Sequence, residues 1–267
     1  LLNFQTMVAS KACRSVLVAG NNPLIDFGLR RAQGAEAGLL AARAAYLAGL
    51  AGTSNVSAGA RFGIPIYGTM AHSFVQAHLD EAEAFTHIAE AQPRNVVLLI
   101  DTYDTEAAAE KVVSLAGRLN ARGISIHGVR LDSGDLADHA RKVRHILDRG
   151  GLTATQILAS GNLDEERIQT LVTGQAPIDS FAIGTAMTTS ADAPYLDCAY
   201  KLQEYAGRPC RKRSEGKATW PGRKQVYRRI GTDGRLNGDI ITVEGDCREG
   251  QPLLGHVMQG GQRVASP

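Results

Sequence analysis

Ile126-His127-Gly128-Val129-Arg130-Leu131-Asp132-Ser133-Gly134-Asp135 is the stretch whose reading decides the fold. An apolar, strand-type run from Ile124 to Val129 leads into it, and a helical pattern from Leu136 to Leu147 leads out. Arg130, Asp132, Ser133 and Asp135 therefore fall where a strand ends and a helix begins. In parallel α/β folds that edge is where ligands bind. An arginine and two acids around a small turn suit a polyol, a phosphate or a metal-bound pyrophosphate. A capped helix start, with Asp132 or Ser133 as the cap and Asp135 in the first turn, accounts for the same residues.

The same order recurs on both sides of this stretch. Downstream, Gln156–Ala159 reads as a strand ending at Ser160-Gly161-Asn162, before a helix from Asp164 to Thr173. Ser180–Ile183 is a further strand; it ends in Gly184-Thr185, small residues that let a backbone approach a phosphate closely. Upstream, Asn95–Ile100 is a continuous apolar run, as expected of a strand buried on both faces. It ends in Asp101-Thr102-Tyr103-Asp104-Thr105, whose acids could hold a metal or ribose or cap the helix Glu106–Asn120.

Nearer the start, Leu1 to Ala19 has helical spacing and Asn21-Asn22-Pro23 breaks it. Asp26–Leu29 reads as a short strand followed by Arg30 and Arg31, which could grip a carboxylate or phosphate bidentately or form a solvated basic loop. Glu36–Leu50 is helical, Gly52-Thr53-Ser54-Asn55 is a polar turn, and Gly63–Tyr67 reads as a strand with a proline at its entry. Gly68-Thr69-Met70-Ala71-His72-Ser73 then leads into a helix from Phe74 to Ala89. His72 near a helix start, where N–H groups favour anions, is a phosphate binder or nucleophile, or else a capping or core histidine. The repeated strand, polar turn and helix predict an α/β fold with parallel strands, a barrel before an open sheet. Its polar clusters would converge on one face.

Composition narrows the class. The chain has 267 residues, 44% hydrophobic and 21% charged, enough for a sizeable core. A net charge of +2 implies no general attraction to nucleic acid or membrane. Four scattered cysteines, none at metal-ligand spacing, predict free thiols in a reducing cytoplasm. No run is long enough to span a bilayer, and no signal peptide is present. After Asp192-Ala193-Pro194 the character changes. Leu202–Gly222 is basic, holds the single Trp220, and lacks the interleaved aromatics of a nucleic-acid platform. Lys224–Ile230 and Asp239–Val243 read as strands. The expected organisation is a barrel over 1–200 and part of a smaller, mostly β domain over 201–267. The opening Leu1-Leu2-Asn3-Phe4 already lies in an amphipathic segment and reads as a fragment whose N-terminal part is absent.

Assembled, these residues resemble the nicotinate phosphoribosyltransferase family over nearly the whole chain. The resemblance rests on Phe27-Gly28-Leu29-Arg30-Arg31-Ala32-Gln33-Gly34, Gly52-Thr53-Ser54-Asn55 and Gly68-Thr69-Met70-Ala71-His72-Ser73. It continues in Val129-Arg130-Leu131-Asp132-Ser133-Gly134-Asp135, Ile183-Gly184-Thr185 and the stretch Lys217 to Arg228. It implies an incomplete parallel (β/α) barrel with a smaller second domain. It also implies ATP-assisted transfer of phosphoribose from phosphoribosyl pyrophosphate to nicotinate, for NAD biosynthesis, with Mg²⁺ on the pyrophosphate and metal ligands not assigned. By resemblance, ATP phosphorylates His72, and Arg130 and Asp132 act at the ribose and base. Phe27 stacks on the pyridine ring, with Arg30, Arg31 and Ser54 facing the substrate. Gly161, Gly184 and Thr185 hold the 5′-phosphate, with Thr69, Ser73 and Ser160 alongside as substrate contacts. Members commonly form homodimers with shared sites. An N-terminal segment that supplies a tyrosine and basic residues has no counterpart here, which would leave this chain inactive alone. The nicotinamide-using relative carries an aspartate in place of Ser54. That relative, and a non-catalytic phosphosugar- or nucleotide-binding fragment, are the competing readings; quinolinate phosphoribosyltransferase, which needs no ATP, fits the His72 motif poorly.

Overall fold

The computed structural model describes residues 2–264; Leu1 of the first expected helix and residues 265–267 of the expected second domain lie outside the described residues. The chain divides into a unit up to Asp197 and a second from Cys198 onward. In the first, helix α1 (Leu2–Ala19) precedes β1 (Leu24–Asp26), α2 (Ala35–Leu47), β2 (Gly52–Thr53) and α3 (Val56–Phe62). Then come α4 (His72–Gln76), α5 (Glu81–Ala91), β3 (Val96–Leu99), α6 (Thr105–Asn120), β4 (Ile126–Leu131) and α7 (Leu136–Arg149). The unit ends with β5 (Gln156–Ala159), α8 (Glu165–Thr173), β6 (Ser180–Ile183) and α9 (Thr185–Thr188). All six strands run parallel in one curled sheet, ordered β2-β1-β6-β5-β4-β3. β2 and β3 stay as its edges, so the fold is an incomplete (β/α) barrel.

Period-two alternation explains how β4 serves both core and site. Val129 and Leu131 are fully buried in the main core with α6 and α7 residues such as Val112 and Val143. Arg130, between them, takes the other face. In register, Asp26 pairs with Thr53 on β2 and Ile183 on β6, while Arg130 pairs with Leu99 on β3. The turns that follow these strands therefore leave the sheet at nearly one level.

Four local expectations are corrected. The strand expected at Asp26–Leu29 ends at Asp26, because the Asp26 carboxylate takes the Gly28 N–H and turns the chain into a 3-10 helix at Leu29–Arg31. Gly52-Thr53, expected in a turn, is an edge strand. The strand expected at Gly63–Tyr67 reduces to one bridge, Thr53 with Ile66. Pro65 has no N–H to give a ladder, though its carbonyl accepts from Thr53 at 3.0 Å. The helix expected at Phe74–Ala89 splits into α4 and α5, since Asp80 caps a fresh start at Glu81.

An ionic knot, buried at Lys11 and half-exposed at Arg14 and Asp192, ties α1 to the helices behind the sheet. Lys11, 5% exposed, lies 2.8 Å from both Glu165 at the start of α8 and Asp192 beyond α9, and Arg14 reaches the same acids. Burial raises the Glu165 carboxyl, but bonds from Lys11 and Arg14 outweigh it and hold it below its ordinary 4.5. Lys11→Met should destabilise the protein by about 3 kcal/mol, the cost of breaking a buried pair. A depressed acid contributes stability above its ordinary value and loses it as pH falls through the native value. The gap between wild type and variant, from denaturant unfolding, should thus be full above pH 4.5 and shrink below it. A gap constant into acid would refute this.

The second unit pairs β7 (Glu204–Tyr205) with β8 (Arg208–Pro209) and builds a three-stranded antiparallel sheet from β9 (Lys224–Ile230), β10 (Leu236–Val243) and β11 (Gln251–Pro252). A last hairpin joins β12 (Met258–Gln259) to β13 (Gln262–Arg263). Among the described residues no helix is long and apolar enough to cross a membrane.

Candidate active site

The loops that leave β3 and β4 each carry two acids with different duties. The second caps the next helix: Asp104 accepts from Ala107 N–H and Asp135 from Ala137 and Asp138, while after β5 the single Asp164 caps α8 through Arg167 N–H. The first then has no cap to make. Asp132 and Ser133 are accordingly not the α7 cap, and Asp132 turns into a cavity of about 1000 Å³ at the carboxyl ends of the strands.

Arg130 is the centre of that cavity. Its guanidinium donates to Ser160 Oγ at 2.8 Å, Thr69 Oγ1 at 2.8 Å and Asp132 Oδ1 at 2.7 Å, and lies 5.1 Å from the Phe27 ring centroid. Ser160 Oγ also donates to Asp132 Oδ1 at 2.5 Å. Burial pushes the Asp132 carboxyl up, but the Ser160 bond and the Arg130 charge outweigh it and hold Asp132 below the ordinary carboxylate value. Asp132 is thus an anion at neutral pH, with Oδ2 turned towards His72.

His72 opens α4. Its Nδ1 pairs with Thr102 Oγ1 at 3.1 Å, while Nε2 stands 3.7 Å from Asp132 Oδ2 and 4.0 Å from Asp101 Oδ1. Asp101 has a 1% exposed side chain. Its Oδ2 accepts the Asp132 N–H at 2.9 Å and the Ser133 hydroxyl at 2.5 Å, so it fixes the β4–α7 turn. Its Oδ1 is buried without a hydrogen-bond partner. Thr102, Asp26 and Thr53 are site residues that sequence reasoning missed, and the sequence leaves Asp101 open between binding and capping. For Asp101 a signal existed: it follows β3 as directly as Asp132 follows β4.

The other expected residues also line this cavity. Phe27, Arg30, Arg31 and Ser54 lie along its β1–β2 side; Thr69 and Ser73 flank His72; Ser160, Gly161, Gly184 and Thr185 close the β5–β6 side. The two glycines also have a packing role. A Cβ on Gly161, at φ +94°, would lie 1.9 Å from the Asp132 carbonyl oxygen, and one on Gly184 would lie 3.2 Å from the Phe27 carbonyl. Their missing side chains let neighbouring loops cross. Substitution at either would therefore disturb Asp132 or Phe27 as well as any phosphate bound there.

Among the described residues no group of three or more His, Cys, Asp and Glu is arranged to hold a metal by itself. Mg²⁺ commonly takes one or two carboxylates and completes its shell with water and substrate phosphate. The orphaned Asp101 Oδ1 and the adjacent Asp132 Oδ2 fit that mode.

A curled parallel half-barrel with an arginine–carboxylate–histidine cluster at its strand ends defines a phosphate- and polyol-competent α/β pocket. Comparison with known proteins narrows this. The family model described as nicotinate phosphoribosyltransferase (NAPRTase) matches residues 23–208. A nicotinate phosphoribosyltransferase of Mycobacterium tuberculosis, pncB2, is 46% identical over 98% of this chain and 56% of its own. The crystal structure of human nicotinic acid phosphoribosyltransferase matches with TM-score 0.79 and 28% identity, over 93% of this chain and 57% of its own. That of a nicotinate-nucleotide pyrophosphorylase from Pyrococcus furiosus matches with TM-score 0.81 and 28% identity, over 99% of this chain and 66% of its own. The chain belongs to the nicotinate phosphoribosyltransferase family. It spans about half the length of the curated relatives it matches.

Proposed function

We propose that the chain forms the catalytic half-barrel of an ATP-assisted nicotinate phosphoribosyltransferase of the cytoplasm. The observation that carries this is the Arg130–Asp132–His72 cluster, with an ionised carboxylate between an arginine and an open imidazole nitrogen. The pyridine nitrogen of nicotinate attacks the anomeric carbon of phosphoribosyl pyrophosphate as the C–O bond to pyrophosphate breaks; the products are nicotinate mononucleotide and pyrophosphate. Positive charge gathers on the ribose, and the fixed Asp132 anion stabilises it without reorganising. Arg130 holds Asp132 and its face stands over Phe27, so the base would lie against the Phe27 ring. Asp101 and Asp132 are the residues that would hold Mg²⁺, whose charge would neutralise that of the pyrophosphate. In a separate step His72 accepts the γ-phosphoryl group of ATP, releasing ADP, and water later hydrolyses the phosphohistidine to phosphate. Nε2 is the nitrogen left open for this, because Nδ1 is engaged by Thr102.

Ser54 decides the base. Nicotinate is a carboxylate, which a hydroxyl and the nearby Arg30 or Arg31 can pair; nicotinamide wants an acceptor for its N–H groups. Mismatch leaves a buried polar group unpaired, and discrimination of about a hundredfold in favour of nicotinate is expected. Ser54→Asp should lower kcat/KM for nicotinate and narrow that ratio. Equal kcat/KM for both bases in the wild type would overturn this reading, and an unmoved ratio in the variant would remove Ser54 from it. Turnover itself, followed as nicotinate mononucleotide formed with the full-length protein, separates an enzyme from a non-catalytic binder.

A further inference from the structure

Asp26 is a carboxylate that the mechanism above does not use. It closes β1 and is 2% exposed. Oδ1 accepts the Gly28 N–H at 2.7 Å, Oδ2 accepts the Thr53 hydroxyl at 2.7 Å, and the Asp26 carbonyl accepts the Ser54 N–H at 2.8 Å. Thr53 Oγ1 in turn accepts the Asn55 N–H at 3.0 Å. One residue thus joins the turn that carries Phe27 to the turn that carries Ser54. Both side chains line the same cavity. Burial raises the Asp26 carboxyl, and the two neutral donors only partly counter that. For the fold alone, a well-packed neutral residue would cost less than a buried acid with neutral partners. Local costs of this kind collect where a site needs its geometry held.

We propose that Asp26, acting with Thr53, is a positioning residue for the pyridine-base subsite, setting the distance between the Phe27 ring and the Ser54 hydroxyl. This rests on the reading of the cavity as a nicotinate site. The clamp's own side-chain hydrogen bonds stay within the β1 and β2 turns, whereas Arg130, Asp132, Ser160 and Gly161, assigned to the ribose and phosphates, belong to β4 and the turns after β4 and β5. Its loss should therefore act on the base and spare the other substrate.

Thr53→Val tests it, because valine keeps the shape and removes the hydroxyl that joins Asp26 to Asn55. The variant should raise the KM for nicotinate about tenfold, a buried hydrogen bond's worth. The KM for phosphoribosyl pyrophosphate should stay near wild type. Thr53→Ser, which keeps the hydroxyl, should keep the KM for nicotinate near wild type. Amide hydrogen exchange at Gly28, Ser54 and Asn55 should quicken in Thr53→Val and not in Thr53→Ser. Asp26→Asn, with one acceptor oxygen in place of two, should give the same pattern in weaker form. Equal rises in both KM values, or a lower Tm with neither KM moved, would make the clamp a folding device and overturn the proposal. Unchanged exchange at the three amides would do so too. A wild-type protein that does not use nicotinate would strike the proposed function; the exchange comparison, which needs no substrate, would still judge the clamp.

Discussion

Arg130→Ala is expected to lower kcat/KM by about a hundred- to a thousandfold, the range for losing a preorganised donor at a reacting centre. The alanine variant loses three bonds at once, to Ser160, Thr69 and Asp132, and the cation over Phe27. Asp132 then keeps its burial but loses its counter-charge, so its pKa should rise from the depressed value towards, or past, the ordinary one. The sign of the pH effect follows. In the wild type, activity that depends on ionised Asp132 persists to low pH; in the variant the acid limb of the pH–rate profile should move up. Arg130→Lys should recover little, because a single ammonium cannot span three acceptors that a planar fork reaches. The measurement is steady-state kinetics across pH with both substrates. A tenfold loss or less, or an acid limb that does not move, would take Arg130 out of the centre of the site.

Loss of phosphoryl capture in His72→Ala is the second large effect. With γ-labelled ATP, the wild-type protein should acquire label that is stable to base and labile to acid, and the variant should acquire none. ATP hydrolysis coupled to turnover should vanish with it. The transfer reaction should survive in part, since Arg130, Asp132 and Ser160 are held by β4 and β5 and not by α4. Asp101→Asn should weaken both, because Asp101 fixes the Asp132 turn through Oδ2 and faces His72 through Oδ1. Label on His72→Ala equal to wild type would place the phosphoryl acceptor elsewhere; complete loss of transfer would mean that His72 serves the ribose chemistry directly.

Much of this site was legible because parallel strands deliver their exit residues to one edge. Once Ile124–Val129 reads as a strand, Arg130 and Asp132 must lie at that edge, and the same holds for Ser160, Gly184 and Thr185. Helix caps were harder to read. Asp, Ser and Thr cap helices and bind substrates with the same atoms, so Asp132 and Ser133 were open to either use. The chain settles it by supplying a second acid, Asp135, one step nearer the helix. Between Asp101 and Asp104 the same two uses were open, and only the structure assigns the cap to Asp104.

By itself the sequence determined the α/β class, the return of strand and turn at five of the six strands, and the motif residues that gather at the strand ends. These follow from local periodicity and from the family motifs, which are written in consecutive residues. Only the tertiary structure decided which polar groups meet. Asp26 and Thr53 stand 27 positions apart, and Arg130 and Thr69 stand 61 apart. No local pattern specifies such pairs, because they are made between elements separated in the chain, and the sheet even sets β1 beside β6. The structure also decided that Gly52-Thr53 is a strand and Gly63–Tyr67 is not. A two-residue strand is too short to show a period, and a proline-bearing segment keeps strand-like residues while losing an N–H that pairing needs.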